Sequence, residues 1–95
     1  MCGLFGSITK KGIVLTQEQQ SKKQSIIVGL ALAMQERGID STGIAGIINN
    51  DLVVVKQAVT ARKLVEKKEF KQLLASNPSI LLGHTRLATV GEVSD

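Results

Sequence analysis

Aromatic side chains are nearly absent from this 95-residue chain, which has no Trp, no Tyr and only Phe5 and Phe70. Its core must therefore be aliphatic, and it lacks the rings on which single-stranded nucleic acid stacks. There is one cysteine, Cys2, so no internal disulfide can form, and the chain fits a reducing cytoplasm. No apolar run approaches the roughly 18 residues that would span a bilayer, and Ile26 to Met34 is too short. The N-terminus has no basic segment leading into an apolar one, which excludes a secretory signal of the usual kind. No His/Cys cluster has metal-ligand spacing, and no glycine-rich phosphate loop is present. Neither a metal nor a cofactor is expected.

What remains is ordinary for a globular chain: 43% hydrophobic residues and a formal net charge of +4. The basic excess comes from Lys10-Lys11, Lys22-Lys23 and Lys67-Lys68, interleaved with Glu18, Glu66 and Glu69. Such scattered pairs read as solvated faces, with neither a nucleic acid nor a membrane as partner. The length allows one small domain, or a piece of a larger one. There is no repeat, linker or second domain.

Leu4 to Ile8 predicts a strand that begins almost at Cys2, and Ile13 to Leu15 can pair back on it. Thr16 and Gln19 have the spacing of a capping box, which opens a helix running to about Arg37. Ile26, Leu30 and Met34, with Ile27 and Ala31 beside them, form its apolar stripe. Gly38 is placed to end that helix in a left-handed conformation. Thr42 to Ile48 and Leu52 to Lys56, around Asn49-Asn50-Asp51, predict a hairpin. A second helix covers roughly Ala61 to Ala75, closed by Asn77-Pro78. Ser79 to His84 is then a strand apolar enough to be covered on both faces. The order β, β, α, β, β, α, β points to an α+β class.

Three segments carry chemistry. Removal of Met1 would leave Cys2 with a free α-amine beside its own thiol, and the amine can serve as the base that activates the sulfur. Taken alone, a cysteine at a strand end reads as an ordinary small packing residue. Arg37-Gly38-Ile39-Asp40-Ser41 is a helix end with a polar turn. The turn explains Gly38 and Ser41 but not the flanking Arg37 and Asp40, which could brace a nucleophile. Gly83-His84-Thr85-Arg86-Leu87-Ala88-Thr89 lies at a strand end, where scaffolds present polar groups. Arg86 offers a planar fork suited to a carboxylate, and Thr89 adds a hydroxyl. His84, inside the strand, reads as a structural histidine rather than a base.

Together the segments resemble the class II, N-terminal-nucleophile glutamine amidotransferases. Met1-Cys2-Gly3-Leu4-Phe5-Gly6 looks like the family's opening. The second segment looks like its Arg-Gly-x-Asp-Ser turn, and Gly83-His84-Thr85-Arg86 with Ala88-Thr89 like its glutamine-binding loop. Within the family the combination is most similar to the glutaminase domain of glucosamine-6-phosphate synthases, then to the amidophosphoribosyltransferases. Leu87 stands where close relatives carry a large aromatic, and Val90 where the synthases often carry His.

The resemblance implies an αββα sandwich, of which residues 1–95 are the N-terminal part. It implies that Cys2 attacks the side-chain amide of glutamine, that a thioester forms, that ammonia leaves for an acceptor, and that water releases glutamate. By the same match Arg86 binds the substrate α-carboxylate with Thr89 beside it, while Arg37 and Asp40 support the site. The family's later Asn-Gly pair and amine-binding Asp fall outside this sequence, as does any acceptor domain. Two expectations stay open: an enzyme domain seen in its first part, and an inactive relative that binds glutamine or a partner chain. A homo-oligomer or a complementing chain is an expected partner in either case.

Overall fold

A computed structural model describes residues 2–10 and 13–87. The elements are β1 (Gly3–Ile8), α1 (Gln17–Met34) continued by a 3₁₀ turn (Gln35–Arg37), β2 (Ser41–Ile48), β3 (Asp51–Gln57), α2 (Ala61–Leu64), α3 (Lys68–Ala75) and β4 (Ile80–Arg86). The class is α+β. Among the described residues four strands form one antiparallel sheet in the order β1-β4-β2-β3, so β4 lies between the first strand and the second.

Capping residues fix the local structure. The Thr16 hydroxyl accepts from Gln19 N at 3.2 Å, and Thr16 N donates to Gln19 Oε1 at 2.9 Å. This is the predicted capping box. Asn49 and Asn50 take φ values of 51° and 68°, the left-handed pair that a two-residue hairpin needs to match strand twist. Ile48 then pairs with Asp51, which opens β3 rather than belonging to the turn.

Several expectations need correction. Residues 13–16 form no strand with β1. The single second helix is two, α2 and α3. In one continuous helix, at about 100° per residue, Leu64 and Phe70 would point about 120° apart. The break at Val65–Lys67 lets both enter the core, where they are 0% and 1% exposed. On α1 the buried pair is Ile27 and Ala31, with Leu30 and Met34 half-buried and Ile26 exposed. Asn77, before Pro78, leaves helical geometry into the left-handed region, at φ 51°. Gly38 is extended, at φ −165° and ψ 121°, not left-handed.

All helices lie on one face of the sheet. Phe5, Ile44 and Leu81 from the strands meet Ile27, Ala31, Ala61, Leu64, Phe70, Leu73 and Leu74 from the helices. The other face is open among the described residues. Leu4, Ile8, Leu52, Val54, Ile80 and Leu82 alternate onto it and are exposed. Among the described residues β4 is therefore covered on one face and not on both: Leu81 is fully buried while Leu82, its neighbour, is 65% exposed.

A lysine ties the far end of the sheet together. Lys23 on α1 donates to Thr9 Oγ1 at 2.7 Å, to Pro78 O at 2.9 Å and to Asn77 Oδ1 at 3.2 Å. Burial lowers its pKa below the ordinary lysine value of 10.5.

Candidate active site

β1, β2, β4 and the end of α1 converge at one end of the sheet. Cys2 immediately precedes β1 and is an exposed free thiol. Gly3 pairs with Thr85, and Thr85 in turn pairs with Thr42. One position further along, Arg86 pairs with Ser41. Register alone therefore brings Cys2, Arg86 and Ser41 to the same sheet end.

The 3₁₀ turn brings the second segment to that place. Gly38 N donates to Gln35 O at 3.1 Å, and Asp40 N donates to Arg86 O at 2.9 Å. Gly38 is buried and packed on β4: a Cβ there would lie 2.5 Å from the backbone N and C of Arg86. That close approach explains the glycine, since its extended backbone is open to any residue. On the other side, a Cβ on Gly3 would lie 3.1 Å from the Cβ of Arg37. The Arg37–Asp40 turn is thus wedged between the start of β1 and the end of β4.

The structure brings together Cys2, Arg37, Asp40 and Arg86, four of the five residues singled out from the sequence. The fifth, Thr89, lies outside the described residues, as does Val90. Arg86 is half-buried and borders a cavity of about 630 Å³ on the open face, shared with Leu4, Ser41, Lys56 and His84. Cys2 is not among its lining residues. The cavity floor is low because Gly43 stands opposite both His84 and Lys56 and contributes no side chain. His84, within β4, also lines this cavity.

Sequence reasoning passed over two residues. Lys56 sits in strand alternation with Leu52 and Val54, so its parity already placed it on the same face as His84 and Arg86. Thr85 alternates with Leu81 and Gly83, which marks it as an inward-facing polar residue in need of a partner. That partner is Met34 O, at 2.7 Å. Among the described residues no group of three or more His, Cys, Asp or Glu could hold a metal.

Similarity to known proteins covers the whole chain. It is 32% identical over 95 residues, all of this chain, to the glutamine–fructose-6-phosphate aminotransferase (isomerizing) of Sulfolobus acidocaldarius. It is 35% identical over 91 residues, 96% of this chain, to that of Bartonella quintana. It is 34% identical over 92 residues, 97% of this chain, to that of Thermosynechococcus vestitus. The chain spans only 13–14% of the length of these relatives. No family model and no solved structure matches it. The resemblance to class II glutamine amidotransferases that three short motifs indicated is thus a similarity across the full 95 residues, to a small part of the isomerizing glutamine–fructose-6-phosphate aminotransferases.

Proposed function

We propose that this chain is the nucleophile-bearing part of a glutamine amidotransferase domain and that its site hydrolyses glutamine to deliver ammonia. The observation that carries the reading is the meeting of Cys2, Arg37, Asp40 and Arg86 at one sheet end, in a chain similar throughout to glutamine-using aminotransferases.

With Met1 removed, the α-amine of Cys2 takes the thiol proton, directly or through a water. The thiolate adds to the carboxamide carbon of glutamine, and the oxygen takes up the electron pair. Collapse of that adduct breaks the C–N bond. The amine returns its proton to the departing nitrogen, which leaves as ammonia, and a thioester remains. Water then adds to the thioester, expelling the sulfur and releasing glutamate. Arg86 holds the α-carboxylate in a two-point grip that a point charge cannot reproduce, with Thr89 beside it. Arg37 and Asp40 support the floor.

The fold proposed for the whole domain is an αββα sandwich. The described sheet has the helical layer on one face and an exposed apolar face on the other, as half of such a sandwich would. The acceptor is proposed to be a sugar phosphate bound by a separate domain, by analogy with the relatives' names. The setting is proposed to be cytoplasmic. Among the described residues no helix is long and apolar enough to cross a membrane. The same open face favours a second reading, in which the chain binds glutamine or a partner chain without turnover.

Glutamine hydrolysis by the full-length protein decides between the two. Ammonia release that disappears in Cys2→Ala supports the enzyme. Tight glutamine binding without ammonia release in the wild type supports the binding protein.

A further inference from the structure

Thr85 is completely buried, and its hydroxyl donates to Met34 O, the last carbonyl of α1. In a continuing α-helix that carbonyl would receive the N–H of Gly38. The 3₁₀ turn diverts Gly38 N to Gln35 O, which leaves the Met34 carbonyl for Thr85. A valine of nearly the same volume would fill the space but leave the carbonyl unanswered.

The hydroxyl needs room, and Gly3 supplies it. A Cβ on Gly3 would come 2.7 Å from Thr85 Oγ1, 3.0 Å from the Cβ of Met34 and 3.1 Å from that of Arg37. The space a side chain would take after Cys2 is occupied by these three groups. Cys2 precedes Gly3, Arg86 follows Thr85, and Arg37 lies three residues beyond Met34. One hydrogen bond therefore sits at the junction of all three segments of the site.

We propose that Thr85 is a positioning residue for the glutaminase reaction, with Gly3 as the matched vacancy that admits its hydroxyl. The Thr85–Met34 bond sets the separation between the Cys2 sulfur and the Arg86 guanidinium, and so the span over which glutamine is held. This rests on the glutaminase reading. Thr85 itself touches no substrate.

The test measures Cys2 alkylation in the full-length protein by two probes. One is an L-glutamine analogue whose carboxamide is replaced by a chloromethyl ketone; the other is iodoacetamide, which needs no grip on a carboxylate. Thr85→Val should slow the glutamine-shaped probe about 10- to 100-fold, because a displacement near 1 Å costs on that order, while iodoacetamide changes less than about twofold. Thr85→Ser keeps the hydroxyl and should restore the first rate to within about threefold of wild type. Equal labelling of Thr85→Val and wild type by the glutamine-shaped probe would overturn the proposal. So would a Thr85→Ser protein as slow as Thr85→Val, since the methyl and not the hydroxyl would then be what counts. If Thr85→Val does not fold by circular dichroism, Gly3→Ala takes its place, because its methyl displaces the hydroxyl without deleting it. The same selective loss is expected there, and unchanged labelling overturns the proposal. A wild-type protein that reacts equally with the L- and D-ketones would sink the glutamine reading itself, and the positioning role with it.

Discussion

With Met1 removed, Cys2 would carry two reactive groups on one residue, and each can be tested separately. Protein made without an N-terminal tag should show an intact mass lacking Met1, since a blocked amine could not act as the base. In the full-length protein Cys2→Ala should abolish ammonia release from glutamine with the fold intact by circular dichroism. Cys2→Ser should be severely impaired, because a hydroxyl is a far poorer nucleophile at neutral pH. Arg86→Lys should raise KM for glutamine, since a fork becomes a point charge. An unchanged kcat/KM would assign the carboxylate to another group. The motifs that hold Cys2, Arg37, Asp40 and Arg86 were legible in the sequence because each is short and local. The tie between Thr85 and Met34 was not, because it joins residues 51 positions apart. No local pattern encodes that distance.

Among the elements, α1 was the most readable, since its N-terminal cap lies within four consecutive residues. Thr16→Ala should lower stability by about 1 kcal/mol in a denaturant titration, the usual cost of losing such a cap. Lys23 is the reverse case, with acceptors 14, 54 and 55 residues away. Lys23→Met should destabilise by about 1–3 kcal/mol, by stranding three acceptors. It should also change the pH dependence. Burial lowers the folded pKa of Lys23, so between that value and 10.5 the unfolded chain binds more protons. Wild-type stability should therefore rise with pH through that alkaline window, relative to Lys23→Met, with no difference in slope at neutral pH. Parallel stability–pH curves in the alkaline range would mean that Lys23 is not desolvated. The hairpin was readable from Asn49-Asn50. The break between α2 and α3 was not, because only the shared core demands that Leu64 and Phe70 point the same way. Gly38 misled for a related reason: its glycine answers to the Arg86 backbone, not to its own φ.

For the molecule as a whole, the open face dominates. Leu4, Ile8 and Leu82 are 75%, 82% and 65% exposed there, and β1 and β3 are edge strands among the described residues. Residues 1–95 alone should therefore self-associate or aggregate at micromolar concentration, as light scattering would show. They should also fail as a glutaminase. Loss of one oxyanion donor alone costs about 10²–10³ in rate, and the Asn-Gly pair that the resemblance implies for that role is not among residues 1–95. A monodisperse monomer with enzyme-like turnover would refute both expectations. The class of fold was legible from the alternation of strands and helices. That only one face of β4 is covered among the described residues was not, because an apolar strand reads the same whether its second face is met by this segment or by another.

The strand order also sets a timetable for synthesis. β1 pairs only with β4 among the described residues, and β4 ends at Arg86. At about 5–20 residues per second, a ribosome takes several seconds to travel from Cys2 to that strand. For that interval the first residues have no sheet to join. The proposed removal of Met1 would fall within that interval. Only afterwards does the arrival of β4 draw β1 into the sheet. Placing β4 beside β1 thus leaves time for the proposed nucleophile to be unmasked before its strand is paired.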